Sequence, residues 1–519
     1  MGTSTWDCGQ RAPRWVRVGA VVCLALALGG CRPAPPPRSL NVGLNREPLT
    51  LDPHYHNDSV TWSFLGNFYD GLVRFSADMQ LEPALAVRWE HAKPALWRFT
   101  LRPEARFSSG ERVRPADVVA SIKRGRDDPH SNIRHHLAGI VKVTTAGDDT
   151  VVVETEAPSP TLVNRLAFLM VIPERVAREG ELKTVVGTGP YGIVASNPGR
   201  SVDAEAWPSW HGTPPVERVH FVFFADEQKL MDGFLGGKVD VARQLSEDQL
   251  GELRVRPGLG AELQPRLQVQ MLAICPQAAK GETARALADP RVRRAMLLAL
   301  DRGRYVRGVY RGNGVVASQY VQPVVVGYDP SLAPLPYDPE LARTLLRDAG
   351  FSRGFGVTLV CTSGQRVPDQ VGPIIEDLGR IGISVRADEV SWTELLQKAR
   401  EHRSELTVFG WACSTGDASD FLNAFGHTPA SARGLGTENY SGYSDAATDA
   451  LIVGADREMD PARRLELLQE AQRRLLAALP ILPLTVRFGH VGVSSRVDVA
   501  TRYDQWLLVE TFRWKDTVR

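Results

Sequence analysis

The chain has 519 residues, which is too many for one ordinary domain and enough for two or three. Its hydrophobic content of 43% and its charged content of 23% are typical of a globular protein. The formal net charge is +1, so electrostatics gives no reason to expect binding to nucleic acid or to an anionic membrane surface.

A targeting segment is predicted at the N-terminus. Arg11, Arg14 and Arg17 precede an apolar run at residues 18–28. Because this run is shorter than the roughly 20 residues that span a bilayer, we interpret residues 1–30 as a signal peptide.

A cysteine that resembles a lipid-attachment site follows this run. The sequence LGGC at residues 28–31 resembles the bacterial lipobox, which implies cleavage before Cys31 and diacylation of its sulfur. Each buried CH₂ contributes about 0.8 kcal/mol, so the acyl chains would anchor an extracytoplasmic body through the proline-rich tether at residues 31–39. An ordinary signal peptide, or a transmembrane anchor with Cys31 incidental, are the alternatives. Arg32 leaves the choice of inner or outer membrane open.

The body of the chain contains three cysteines, Cys275, Cys361 and Cys413. They are far apart in sequence and lack the spacing of a metal site, so we interpret them as buried thiols. A disulfide between Cys361 and Cys413 is the alternative.

The stretch LWRFTLRPEARFSSGERVRPADVVASIKR, residues 96–124, predicts a strand, a turn and a helix. Trp97, Phe99 and Leu101 alternate with polar residues, which is the pattern of a half-buried strand. A Ser-Ser-Gly turn follows, and Pro115 suits the first turn of a helix.

Three later helices are each predicted to begin with an Asp-Pro pair. The pairs begin at Asp289, Asp338 and Asp460, where the aspartate caps the helix and the proline occupies its first position. Strands are predicted between these helices and, near the C-terminus, at residues 505–509. Alternation of helices with strands indicates an α/β protein.

Several of these stretches together resemble one family. The sequences FYDGLVR, PALAVRW, GTGPY, ADPRVRRAMLLALDR and YDPELARTLLRDAGF occur in order between residues 68 and 351. They resemble motifs of the family 5 extracellular solute-binding proteins of ABC importers. The resemblance implies an α/β, two-lobed periplasmic-binding-protein fold of type II, cluster C-like, with an extra third domain.

The resemblance also implies a domain plan and a function. It places an extra domain that touches ligand little at residues 66–186 and lobe II at residues 276–483. Lobe I would combine residues 40–65, 187–275 and 484–519. The protein would be a monomer without catalytic residues, metal or cofactor that captures di- or oligopeptides and delivers them to ABC permease subunits.

The resemblance points to one loop for the ligand. Peptide-binding members meet the ligand's amino terminus with an aspartate three residues after a Gly-Trp pair, and here Ser414 occupies that position. A neutral hydroxyl leaves a buried ammonium unpaired. Asp417, which matches the second acidic position, or Asp420 therefore takes this role, or the ligand has no amine there.

Four further residues are candidate ligand contacts. Trp411 is the first choice, as a stacking surface or pocket wall, with a plain core tryptophan as the alternative. Trp62 and Trp392 are candidates at the lobe edges. Arg366 lies near the position where dipeptide-binding members bind the ligand's carboxylate, with a solvated loop arginine as the alternative.

Other functions were weighed against this one. His54 and His56 beside Asp52 have the residue types of a metal site, but we interpret them as polar loop residues near the hinge, and His135 and His136 as an exposed helix end. A non-peptide solute such as a sugar, opine or metal chelate is one alternative. An extracytoplasmic hydrolase lacks support because neither G-x-S-x-G nor H-E-x-x-H occurs, and a sensor lipoprotein remains open.

Overall fold

The computed structural model describes residues 1–4, 38–253, 255–363 and 367–515, with backbone alone at residues 367–370. The chain divides into the units Met1–Arg38 and Ser39–Arg519, and all described helices and strands lie in the second. The apolar run at residues 18–28, Cys31 and Arg366 lie outside the described residues, so their predicted roles stay predictions.

A seven-stranded sheet forms one large part of the body. Its central strand Ser39–Leu44 pairs in parallel with Arg218–Phe223 and with Val241–Ala242, while the outer pairings are antiparallel. Leu40 and Val42 are fully buried, as the alternation of their strand requires. In order across the sheet, the strands are Leu259–Gln264, Gly489–Ser494, Val241–Ala242, Ser39–Leu44, Arg218–Phe223, Ser201–Ala206 and Tyr191–Asn197.

A six-stranded sheet forms the second large part. The strand Gln268–Ile274, predicted as part of lobe I, hydrogen-bonds here between Leu406–Ala412 and Ile481–Arg487. This strand therefore belongs to the second sheet and not to lobe I. The sequence motifs could not show this, because they contain no information about which strands pair. The strands in order are Gly314–Val316, Ile481–Arg487, Gln268–Ile274, Leu406–Ala412, Phe355–Thr362 and Ile383–Val390.

The stretch 96–124 forms part of a smaller third domain. Its strand Leu96–Leu101 is central in a four-stranded antiparallel sheet, and its helix spans Pro115–Asp127. Trp97, Phe99 and Leu101 are buried as predicted. Across this sheet the strands are Ala86–Lys93, Leu96–Leu101, Thr150–Thr155 and Ile140–Ala146, and two-stranded ribbons join Val73–Phe75 to Leu81–Pro83 and Val497–Asp498 to Arg513–Trp514.

The three Asp-Pro helices begin as predicted. The carboxylates of Asp289, Asp338 and Asp460 accept hydrogen bonds from first-turn backbone N–H groups of Pro290–Ala299, Pro339–Asp348 and Pro461–Ala478. In the described part of the chain, no helix combines the length and the apolar character needed to cross a membrane. The other α-helices are Ser59–Leu65, Leu162–Leu166, Glu227–Leu235, Glu247–Leu253, Gly281–Ala288, Arg302–Val309, Val367–Arg380, Trp392–Arg400, Ser419–Phe421 and Ala446–Ala455, with a π-helix at Leu422–Gly426 and 3-10 turns at Arg134–Leu137, Pro276–Ala278, Ser431–Arg433 and Val509–Thr511.

The prediction of a strand at residues 505–509 is wrong. Side chains, and not a neighbouring strand, form the hydrogen bonds to the backbone of this segment. Asn67 donates from Nδ2 to the carbonyl oxygen of Leu507 and accepts from the N–H of Val509. The Leu507 N–H donates to Ser63 Oγ. The segment is therefore an irregular chain held from the helix Ser59–Leu65 and the residues after it.

The cysteines of the body are free and buried, as interpreted from their spacing. Cys275, Cys361 and Cys413 each lie in a hydrophobic environment, and the alternative disulfide between the last two is not formed. Burial raises the pKa of each thiol, so all three stay protonated at neutral pH.

Candidate ligand-binding site

A cavity of about 930 Å³ is lined by the helix that follows the first strand of the seven-stranded sheet, by strands of the six-stranded sheet and by residues of the third domain. Ser59 and Trp62 line it from the helix after the first strand. Trp411 lines it from the end of a strand of the six-stranded sheet, and Asp420 from the loop that follows. The segment 503–506 contributes aromatic and polar groups. Such a cleft suits a small ligand with a few polar groups.

Trp411 is positioned by its strand and by the glycine before it. A Cβ atom at Gly410 would meet the amide group of Gln268 on the paired strand, so the glycine leaves room for that side chain. The indole of Trp411 packs edge-on against Phe425, with ring centroids 4.9 Å apart. The side chain of Trp411 is half-buried and lines the cavity, so it packs against the hydrophobic core and also forms part of the cavity wall.

The other tryptophans differ in position. Trp62 is only 4% exposed and stacks on Trp506, with centroids 5.8 Å apart and an interplanar angle of 5°. Both rings line the main cavity, and Trp506 was missed because nothing in its local sequence marks it. Trp392 is 56% exposed and lines a separate cavity of about 180 Å³ with Cys361.

The two acidic candidates for an amine partner, Asp417 and Asp420, differ in their surroundings. Asp417 is 3% exposed, and its Oδ2 and Oδ1 lie 2.5 and 2.8 Å from Nη1 and Nη2 of Arg464. This carboxylate is occupied and does not line the cavity. Asp420 does line it, as does the exposed Ser414. Burial raises the pKa of Asp420 to about 6, and the charge of Asp417 adds to this shift, while hydrogen bonds from Thr415 and from the Ser414 N–H oppose it.

The third domain contributes more to the cavity than the resemblance implies. His135 and His136 both line it, and their interpretation as an exposed helix end is wrong for His136, which is 6% exposed. The ring of His136 stacks on Phe168 with centroids 4.3 Å apart. Burial lowers the pKa of His136 to about 2, so this ring is neutral. Arg165 lies on the same wall.

Of the two predicted loop histidines, His54 belongs to a buried network, and His56 packs edge-on against Trp62. Arg124 donates to both carboxylate oxygens of Asp52, at 3.0 and 2.6 Å, and lies 3.0 Å from Nδ1 of His54. The Nε2 of His54 lies 2.9 Å from the carbonyl oxygen of Met170. Burial lowers the pKa of His54 and of His56 to about 4. Within the described ranges, no group of three or more potential ligands is arranged to hold a metal ion.

The family sequence model for "Bacterial extracellular solute-binding proteins, family 5 Middle" matches residues 80–433. The chain belongs to this family. Its fold is accordingly the α/β arrangement of two lobes and an extra domain that the motifs predicted. Members are solute-binding proteins, not enzymes, and they bind small-molecule or peptide ligands and work with ABC permeases.

Two curated relatives align along most of the chain. The glutathione-binding protein GsiB of Salmonella typhi is 26% identical over 475 residues, which cover 88% of this chain and 90% of the relative. The di/tripeptide-binding protein 2 of Pseudomonas aeruginosa strain UCBPP-PA14 is 25% identical over 485 residues, covering 86% and 89%. Among solved structures, HbpA2 from Haemophilus parasuis superimposes with a TM-score of 0.82 at 24% identity, covering 92% of this chain and 100% of that one.

Proposed function

We propose that this chain captures short peptides in the cavity between its lobes and delivers them to the permease of an ABC importer. The observation that carries this proposal is the carboxylate of Asp420 on the cavity wall, beside the Gly-Trp loop. A half-buried carboxylate with few hydrogen-bond donors is suited to pair with the ammonium group of a peptide. Two relatives are named for binding glutathione and di- or tripeptides, which supports a peptide ligand.

The size and the walls of the cavity favour a short peptide. A volume of about 930 Å³ lies within the roughly 300–1,000 Å³ of pockets for small ligands. Trp62, Trp411 and Trp506 offer aromatic surface for apolar side chains. We therefore propose di- and tripeptides as the preferred lengths.

The proposal extends to where the protein works. The body acts as a monomer outside the cytoplasm, tethered by diacylated Cys31, and the two lobes close on the ligand before docking on the permease. The lipobox-like sequence supports the tether, and the family's extracellular description supports the compartment.

A non-peptide solute is the second candidate. It is favoured by Ser414, which stands where peptide-binding members carry the aspartate for the ligand's amine. A ligand without an ammonium group would have no need of that carboxylate.

Mass spectrometry of solutes that co-purify with the protein, followed by calorimetry with dialanine, trialanine and glutathione, tests the proposal. Trp411→Ala is expected to weaken peptide binding by about tenfold or more, because a large aromatic wall is removed. Trp89→Ala is the matched control, since this tryptophan lies on the strand Ala86–Lys93 of the third domain and does not line the cavity. Absence of peptide binding, together with a non-peptide solute in the cavity, would establish the second candidate instead.

A further inference from the structure

The third domain places a cation on the wall of the ligand cavity. Arg165 lies on the short helix Leu162–Leu166, and its neighbours Thr161 and Phe168 line the same wall. The family resemblance implies that this domain touches ligand little, so a charged group here is unexpected.

The guanidinium of Arg165 is incompletely satisfied. Its Nη1 donates to the carbonyl oxygen of Ala138 at 2.7 Å, and its Nη2 donates to Ser159 Oγ at 2.9 Å. Its Nε is buried and lacks a hydrogen-bond partner among the described residues. Both bonds that it donates go to neutral oxygens, and no described carboxylate lies within 4.0 Å of it. Of the five N–H groups of an arginine, three are thus left over.

A largely desolvated cation without a counterion is unfavourable, and a bound anion relieves this cost. The planar fork of a guanidinium matches the two oxygens of a carboxylate. Asp456 is the carboxylate whose charge acts on Arg165 from a distance, but it is engaged by Asn423 and has a pKa raised to about 6 by its own burial. A counterion for Arg165 is therefore missing from the described protein.

The helix that carries Arg165 touches the loop that carries Asp420. Asn164 Nδ2 donates to the carbonyl oxygen of Thr415 at 2.8 Å, and Thr415 in turn contacts Asp420. Arg165 and Asp420 are not ion-paired with each other, although both line the cavity. The two charges are thus available to one ligand that carries both a carboxylate and an ammonium group.

We propose that Arg165 binds the carboxylate of the ligand, so that the extra domain supplies a specificity-determining residue. This inference rests on the proposed function, because it assigns the second charged group of the same peptide site. It makes the free carboxyl terminus, in addition to the amine, a requirement for tight binding.

Calorimetry with trialanine and trialanine amide tests the assignment. The wild-type protein is expected to bind trialanine at least tenfold more tightly than the amide. Arg165→Gln should weaken trialanine binding about tenfold or more and change amide binding less than twofold, which removes the preference. Arg165→Lys, which retains the charge, should keep part of the preference for trialanine over the amide. This variant replaces Arg165→Gln in the test if the glutamine variant does not fold.

Arg175→Gln is the matched control, since Arg175 belongs to the same domain but pairs with Glu111 outside the cavity. It should leave both affinities unchanged. Equal weakening of trialanine and its amide by Arg165→Gln, or no effect on either, overturns the assignment while peptide binding itself stands.

Failure of the proposed function has a different result. If the wild-type protein binds neither peptide, the peptide proposal fails, and citrate then serves as a carboxylate probe without an amine. Citrate binding that Arg165→Gln weakens tenfold supports the role of Arg165 for a non-peptide anion. Absence of citrate binding, or equal binding by the variant, overturns it.

Discussion

If Asp420 binds the ligand's ammonium group as proposed, its carboxyl group is expected to set how ligand affinity depends on pH. Burial raises the pKa of Asp420 to about 6, so the group is mainly ionised at pH 7.5 and mainly protonated at pH 5. Only the ionised form pairs with an ammonium group. The affinity for trialanine is therefore expected to fall by about tenfold between pH 7.5 and pH 5, which follows from proton competition for one site.

The titration of Asp420 must be distinguished from that of two other groups: Asp456, which is hydrogen-bonded to the cavity residue Asn423, and His136 on the cavity wall. Burial also raises the pKa of Asp456 to about 6, whereas His136 stays neutral throughout this range. Asp420→Asn should bind trialanine weakly at both pH values and lose the pH dependence, which calorimetry in matched buffers can measure. A pH dependence that persists in this variant would assign it to another group.

At the scale of elements, the loop 413–420 is fixed to the helix Pro461–Ala478 by one buried ion pair. Arg464 contacts both oxygens of Asp417 and also donates from Nε to the carbonyl oxygen of Ala455. Removing one partner of such a pair costs about 3–5 kcal/mol, because the other charge remains buried and unpaired. We therefore expect Asp417 to act on the structure of the loop and Asp420 to act on the ligand.

The substitutions Asp417→Asn and Asp420→Asn are expected to separate these roles. Asp417→Asn should lower the midpoint of thermal unfolding by about 3–5 °C and change trialanine affinity less than tenfold. Asp420→Asn should not lower the midpoint, since it replaces a carboxylate whose ionisation burial disfavours, but it should weaken binding. Circular dichroism and calorimetry measure the two effects, and the reverse pattern would contradict this division.

Local sequence predicted the elements whose causes are local. The Asp-Pro helices and the alternating strand at residues 96–101 form as expected, because a cap or an alternation acts within a few residues. Arg464, the partner of Asp417, lies 47 residues away in sequence, and no spacing rule connects them. Arg165 was missed for the same reason, since its exposure to the cavity arises only when the third domain packs against the loop of Thr415.

The segment at residues 505–509 shows that a favourable local sequence is not sufficient to form a strand. Its apolar residues suited a strand, yet Asn67 and Ser63, more than 400 residues earlier, satisfy its backbone. A strand needs a neighbouring strand, and only the tertiary structure decides whether one is present. Asp417 and Asp420 were likewise equal candidates until packing buried one of them.

At the scale of the whole molecule, the proposed lipid anchor would keep the binding protein beside its permease. We expect Cys31→Ser to abolish incorporation of a fatty-acid label and to move the protein from washed membranes to the soluble extract, because the thiol that would carry the diacyl group is gone. Cys23→Ser is the matched control, since this cysteine lies within the apolar run that precedes the proposed cleavage site. It should leave labelling and membrane association unchanged.

The peptide affinity of the Cys31→Ser variant is the second measurement. The cavity lies wholly within the body Ser39–Arg519, so the released Cys31→Ser protein should bind trialanine as tightly as the wild type. Uptake of labelled trialanine by cells should nevertheless fall, because release lowers the local concentration of the binding protein at the permease. Fatty-acid labelling that persists in Cys31→Ser would contradict the lipid anchor, whereas unchanged uptake after release would show that the tether is dispensable for transport.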